Sequence, residues 1–270
     1  MSLWNLFLKQ PLANLLFFFY QALSFNLGLA IIATAASIGL GLIPLTLPSL
    51  RSSQKMQKIK PELDSLLKKY KHDKQLLAAK QLELYKKHQI NPAAGIFPMI
   101  IRLLVIIALY GVLNQVIAQG GDANQINNFL YPAIKLPPNT QLNTRFLYLD
   151  ILRPDLINFK TPLNLFLFKV SSLPGFFLIG SALLQFAQTQ LMRKNSPTAS
   201  GQPKTAKPNQ DGAQMAETMQ KQMAFIMPLM TILIGYRLAS GLVISWFVFS
   251  LASLAQQLYL QKLIKDNKAD

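Results

Sequence analysis

The chain has 270 residues, of which 51% are hydrophobic and only 14% charged. Soluble domains usually carry about 25% charged residues, so a water-soluble domain with an ordinary polar surface is excluded. The net charge of +16 would point to nucleic acid on a soluble fold. Here the basic residues flank apolar runs of spanning length, so membrane orientation and lipid headgroups account for them and no DNA partner is expected. The chain has no cysteine, which excludes disulfides and thiolate metal sites. His72 and His88 both fall in a charged stretch and read as solvated.

Residues 1–25 contain Trp4, the single basic residue Lys9, Pro11 and an aromatic run ending at Tyr20, with no small-residue cleavage site. An interfacial amphipathic helix is expected there, with its aromatics at headgroup level; part of a short span is the alternative. Residues 26–50 form the first expected span. It is apolar and uncharged as far as Leu47, and Pro44 and Pro48 are expected to mark its end. A hydrocarbon core of about 30 Å needs roughly 20 helical residues.

Residues 51–91 hold eleven Lys/Arg and four Asp/Glu. Met56, Ile59, Leu63, Leu66 and Tyr70 recur at helical steps, as do Leu77, Leu82 and Tyr85 further on. Asp73 is placed to cap the second helix, and Lys86 and Lys87 suit its C-terminal end. A two-helix hairpin outside the membrane is expected.

Residues 92–118 give a second span interrupted by Arg102. Residues 119–170 form a mixed loop with Gly120-Gly121 and Pro137-Pro138 turns. A third span follows at 171–192, a polar linker at 193–222, a fourth and fifth span within 223–260, and a tail at 261–270. The hairpin, linker and tail together hold nineteen Lys/Arg, against seven on the opposite side. The first group is therefore expected in the cytoplasm, together with the C-terminus, and the long loop outside. The fold class is thus an all-α integral membrane protein with five transmembrane helices, an N-terminal interfacial helix and a cytoplasmic two-helix hairpin.

No phosphate loop, metal-spaced histidine cluster or nucleophile elbow appears, so no enzyme activity, metal or cofactor is expected. Every Asp and Glu lies outside the expected spans, which argues against an ion-coupled transporter.

Several stretches occur in a fixed order. They are Pro44-Leu45-Thr46-Leu47, then Arg51 to Gln57 and Pro61-Glu62-Leu63. Leu84-Tyr85-Lys86-Lys87-His88 follows, with Asn91-Pro92, Gly95, Pro98 and Ala108-Leu109-Tyr110. Phe146-Leu147-Tyr148-Leu149-Asp150 with Pro154-Asp155 comes next, and the set ends on Gly241-Leu242-Val243, Trp246 and Gln256-Gln257. Together they resemble the YidC/Oxa/Alb family of membrane protein insertases over nearly the whole chain. The resemblance implies a hydrophilic groove, open to cytoplasm and lipid, that receives polar parts of client proteins. Such a groove would lower the cost of carrying unsatisfied polar groups through hydrocarbon, several kcal/mol each. It also implies location in a bacterial-type inner membrane. The implied partners are client membrane proteins and lipids, with the ribosome and the Sec translocon as further expectations. A small transporter or channel and an assembly scaffold are the rival readings.

The chain departs from the family pattern at Gly39, where an arginine is usual, and at Arg102, where a glutamine is usual. Ser245 and Ser250 replace a usual tyrosine and asparagine. At about 1.5 Å per helical residue, Gly39 and Arg102 are both expected roughly 10–12 Å below the cytoplasmic boundary, so Arg102 is expected to supply the missing charge. Ser181, Gln185 and Gln188 share one face of the third span. Trp246, Ser250, Ser253 and Gln257 share one face of the fifth. The client-groove candidates are Arg102, Gly39, Thr46, Gln185, Gln188, Trp246 and Ser250. On the hairpin, Met56, Lys60, Lys68, Lys71 and Lys74 are expected to meet clients. Met215, Met219, Met223, Met227 and Met230 are expected to pack between helices.

Overall fold

The computed structural model describes residues 3–70, 72–91, 96–165, 168–195 and 226–266. They form two compact units. The first comprises residues 1–41, 103–187 and 226–270; the second comprises 42–102 and 188–225.

In the first unit a single π turn, Asn5–Lys9, leads into α1, Gln10–Ala22. Leu12, Ala13, Leu16, Phe17 and Tyr20 are buried at steps of one, three and four, the spacing of one helix face. The chain then turns through Ser24 and Phe25, both at positive φ. Asn26 accepts the Leu29 N–H at 3.0 Å and so caps α2, Leu27–Gly41. The first unit also holds the later part of α6, Ile96–Ala118, most of α8, Phe176–Asn195, α9, Ile226–Gly235, and α10, Ser240–Asp266. Its main core joins α1, α2, α6, α8 and α10 through Leu16, Phe17, Ile31, Leu113, Leu178 and Ile244. A smaller cluster unites Ala35 of α2, Val105 of α6 and Phe249 of α10.

The segment between α6 and α8 is more ordered than a loop. It holds a short α7, Ala123–Ile126, the paired strands β1, Arg145–Phe146, and β2, Leu149–Asp150, and a hairpin of β3, Leu156–Leu165, with β4, Phe168–Pro174. The all-α expectation is corrected by these two antiparallel pairs. The β3–β4 register slips between Asn158 and Leu163, around Pro162, which has no N–H to give to a ladder. The third helix accordingly starts at Phe176, not at residue 171.

This segment bonds to four helices of the unit. Leu27 N–H donates to the Asn143 carbonyl, and Asn143 N–H donates to the Tyr20 hydroxyl at 3.0 Å. The Ser240 hydroxyl donates to the Asp150 carbonyl at 2.9 Å, and Ser240 N–H donates to the Arg153 carbonyl at 2.6 Å. Asp155, fully buried, accepts the Tyr148 hydroxyl at 2.7 Å and the Leu178 N–H at 2.8 Å. It therefore satisfies an orphan donor at the start of α8, and its charge suits that end of the helix. Gly175 makes this approach possible, since a Cβ there would fall 1.7 Å from the Asp155 carboxylate.

The second unit contains α3, Ile43–Lys58, α4, Lys60–Lys69, and α5, Lys74–Lys87. The expected stop at Pro44 and Pro48 is corrected. The first long helix ends at Gly41, Pro44 sits in the first turn of α3, and Pro48 lies inside α3. The first turn has no intrahelical use for proline's missing N–H, so Pro44 opens a helix that carries on into the polar stretch. Ile59, Leu63, Leu84 and Ile90 bury one another, with Met56, Leu66, Leu67 and Tyr85 packed around them. Leu84 takes the place expected of Leu82, which is 52% exposed. Asp73 accepts the Leu76 N–H at 2.9 Å, the cap read from the sequence. Burial pushes the Tyr85 hydroxyl pKa up. Glu62 pairs with His88 at 3.2 Å and Lys87 at 3.8 Å; such exposed pairs contribute roughly 0–1 kcal/mol each.

Among the described residues, the Ser240–Tyr259 part of α10 is long and apolar enough to cross a membrane, while Leu27–Gly41, Leu103–Ala118, Phe176–Leu191 and Ile226–Gly235 are shorter apolar helices. Most of the expected linker lies outside the described residues, as do Met215, Met219 and Met223.

Candidate functional site

In the first unit the polar candidates occupy three helices. Gly39 lies on α2 against Ala252 of α10, where an added Cβ would sit 3.7 Å from the alanine methyl. That is ordinary van der Waals contact, so the helix pair does not by itself require glycine. Ala252 is six residues from Trp246 and two from Ser250. At about 100° per residue it lies some 120° or more around α10 from the face those two share. Gly39 is thus brought to α10, but not to the Trp246–Ser250 face.

Ser181 on α8 is buried and donates to the Phe177 carbonyl at 2.7 Å. Its neighbour across the interface is Val243 of α10, whose carbonyl oxygen is 3.5 Å away. Gln185, one turn on, accepts the Thr231 hydroxyl of α9 at 2.7 Å. The two residues therefore serve different helix pairs, and Gln185 makes a polar tie between α8 and α9. Ties of this kind are frequent between membrane helices.

On α10, Ser245 is buried and donates to the Leu242 carbonyl at 2.7 Å, and Ser250 is also buried. Trp246 differs. Its indole Nε1 is shut away from solvent and has no hydrogen-bond partner among the described residues. An unmade hydrogen bond of this kind costs about 1–3 kcal/mol. Native structures keep few such orphans, and each calls for an explanation.

In the second unit Thr46 is half-buried and donates to the Ile43 carbonyl at 2.9 Å, one turn back in α3. Arg102 is carried by α6 and Gln188 by α8. Of the hairpin candidates, Met56 packs on the apolar seam between α4 and α5, and Lys68 is exposed in the last turn of α4. Lys60 begins α4 and Lys74 begins α5. Lys71 lies outside the described residues.

Two features lie outside the site candidates read from the sequence. One is the buried Asp155, held by Tyr148 and the start of α8. Burial first, and the Asp155 carboxylate second, push the Tyr148 hydroxyl pKa up to about 12. The other is the approach of Lys9 to Gly111 on α6. The two residues are more than a hundred positions apart, so no periodicity could relate them.

The apolar helices and the apolar side chains they expose, among them Leu103, Ile107, Leu183, Leu229 and Leu233, define an α-helical membrane protein. The chain belongs to the 60Kd inner membrane protein family, which matches it over residues 18–268. It is similar to the membrane protein insertase YidC of Fusobacterium nucleatum subsp. nucleatum, 31% identical over 237 residues, covering 88% of this chain and 87% of that protein. It is also similar to the insertases of the same name from Syntrophobacter fumaroxidans, at 29% identity over 96% of this chain, and Rickettsia massiliae, at 28% over 96%. The chain spans only 38% and 39% of the length of those two proteins.

Proposed function

We propose that this chain inserts and folds membrane proteins, receiving polar parts of a client in a groove open to cytoplasm and lipid and catalysing no chemical reaction. The observation that carries the reading is the match along nearly the whole chain to the 60Kd inner membrane protein family and to proteins named as membrane protein insertases. In hydrocarbon a polar client backbone and a protein donor each lack water, and each satisfies the other. The Trp246 N–H has no partner among the described residues but is shut away from solvent, so a client meets it only once the side chain moves. Ser250 on the same face and Gln185 with Thr231 extend the polar lining. Arg102, Gly39, Thr46 and Gln188 are proposed from the sequence as further client contacts.

In this reading the chain crosses the membrane five times, with residues 1–25 at the interface and the segment 119–170 outside. The basic α3–α5 region and the C-terminus lie in the cytoplasm. There Met56, Lys60, Lys68, Lys71 and Lys74 meet clients, and the ribosome and the Sec translocon are proposed partners. The similarity along the chain to proteins named as insertases supports this function.

The test is Trp246→Phe, which keeps an aromatic ring and deletes the N–H. Protease-protected insertion of a short single-span client into proteoliposomes should fall several-fold while the variant stays folded. Insertion at the parent's rate would assign Trp246 to packing.

A further inference from the structure

A cavity of about 390 Å³ lies between the start of α1 and the C-terminal half of α6; Lys9, Asn5, Gln10, Asn114 and Gln115 give its mainly apolar wall a polar side. At roughly 30 Å³ per water, it has room for a group of about a dozen waters' volume. Lys9 is the only ionisable residue of the lining. Its stem runs over Gly111, where a Cβ would fall 2.4 Å from Lys9 Cε and 3.0 Å from Nζ. The missing side chain at residue 111 is what admits the ammonium.

None of the ion pairs among the described residues involves Lys9, and its other polar neighbours in the lining are uncharged amides. An ammonium has three donors and no acceptor, and each amide offers N–H donors beside a neutral carbonyl oxygen that does not balance the charge. A half-buried cation with amide N–H donors beside it and no ion pair among the described residues suits an oxyanion. On the adjoining turns Leu3, Leu6 and Phe7 are 74%, 47% and 69% exposed, so an apolar surface flanks the charge. A phospholipid has this pairing of an anionic phosphate with an apolar chain.

We propose that this cavity binds the phosphate group of a phospholipid, with Lys9 pairing to the phosphate oxygens and Leu3, Leu6 and Phe7 bedding the adjoining acyl chain. The site would tie α1 to α6 through the lipid. The proposal rests on the membrane placement given above but not on insertase activity, and its readout needs no client.

The experiment counts phosphatidylglycerol molecules retained by the purified full chain in native mass spectrometry. The parent should hold one saturable lipid. Lys9→Gln should weaken that binding about tenfold, the effect of losing one charge-assisted hydrogen bond. Gly111→Leu, which fills the ammonium's place, should do the same, and Lys9→Arg should retain the lipid. Lys9 has no internal ion pair to lose, so Lys9→Gln should melt with the parent. Lys135→Gln, an exposed charge elsewhere, should bind as the parent does. Equal lipid retention by Lys9→Gln and the parent would overturn the proposal. Displacement of the lipid by millimolar inorganic phosphate would also overturn it, by assigning the site to the free ion.

Discussion

Replacing Tyr148 by phenylalanine removes one hydroxyl and two hydrogen bonds, the one it donates to Asp155 at 2.7 Å and the one it accepts from Phe176 N–H at 2.9 Å. The first involves a buried carboxylate, and bonds to charged groups contribute about 1.5–3 kcal/mol. The second can be replaced by water, because Tyr148 is itself 52% exposed. The expected loss is therefore about 2 kcal/mol. A chain of this size shifts its Tm by roughly 2–4 °C per kcal/mol, so Tyr148→Phe should melt about 4–8 °C below the parent. Asp155→Ala should cost more, about 3 kcal/mol, since it loses the Tyr148 bond and also strands the buried Leu178 N–H. Thermal unfolding of the detergent-purified protein, followed by Trp4 and Trp246 fluorescence, reads both. The double variant should be less destabilised than the sum of the two, because either change alone breaks the same bond. Strict additivity, or a Tyr148→Phe protein that melts with the parent, would refute the idea that this pair anchors the start of α8.

The same pair predicts an alkaline effect. The Tyr148 pKa is raised from 10.0 to about 12, so the folded form keeps its proton where the unfolded form loses it. Its contribution is complete below about pH 10 and lost as pH rises towards 12, so the Tm gap between parent and Tyr148→Phe should narrow over that window; a constant gap would contradict it. At the helical pair, Asp73→Ala removes the cap on α5 and should cost about 1 kcal/mol, read as faster hydrogen exchange at Lys74 to Leu77; unchanged exchange would show the cap to be idle. In intact cells an impermeant thiol reagent should label Asn139→Cys and spare Asp73→Cys; the reverse pattern would invert the proposed topology. Arg102→Gln should impair client insertion and Gly39→Arg should restore it. An Arg102→Gln protein that inserts normally would end the relocated-charge idea.

The sequence made the apolar helices legible because a helix that faces lipid and neighbouring helices is apolar all round, and the absence of charge announces it. The α4 seam was legible for a related reason: Met56, Ile59, Leu63 and Leu66 repeat at helical steps, and the structure packs all four into one cluster. In α5 the leucines at 76, 77, 82 and 84 define no single stripe, and Leu84 rather than Leu82 proved to be the buried one. The proline signals misled because proline is read as a stop, while the first turn of a helix accepts it. The β3–β4 hairpin escaped notice because Pro162 and mixed polarity interrupt any alternation. Asp155 meets its partners 7 and 23 residues away, Lys9 meets Gly111 more than a hundred positions on, and the Trp246 N–H is marked by having no partner among the described residues. A buried carboxylate, an orphan N–H and an unpaired ammonium become visible only when those partners, or their absence, are placed in space.

The measurement that bears most directly on the account is reconstitution of the purified chain alone into liposomes, with a short single-span client added and its protease protection followed over time. The account predicts client-specific protection well above that of empty liposomes, with no release of trapped small solutes. Solute release with no protection of the client would contradict it and assign the chain to transport.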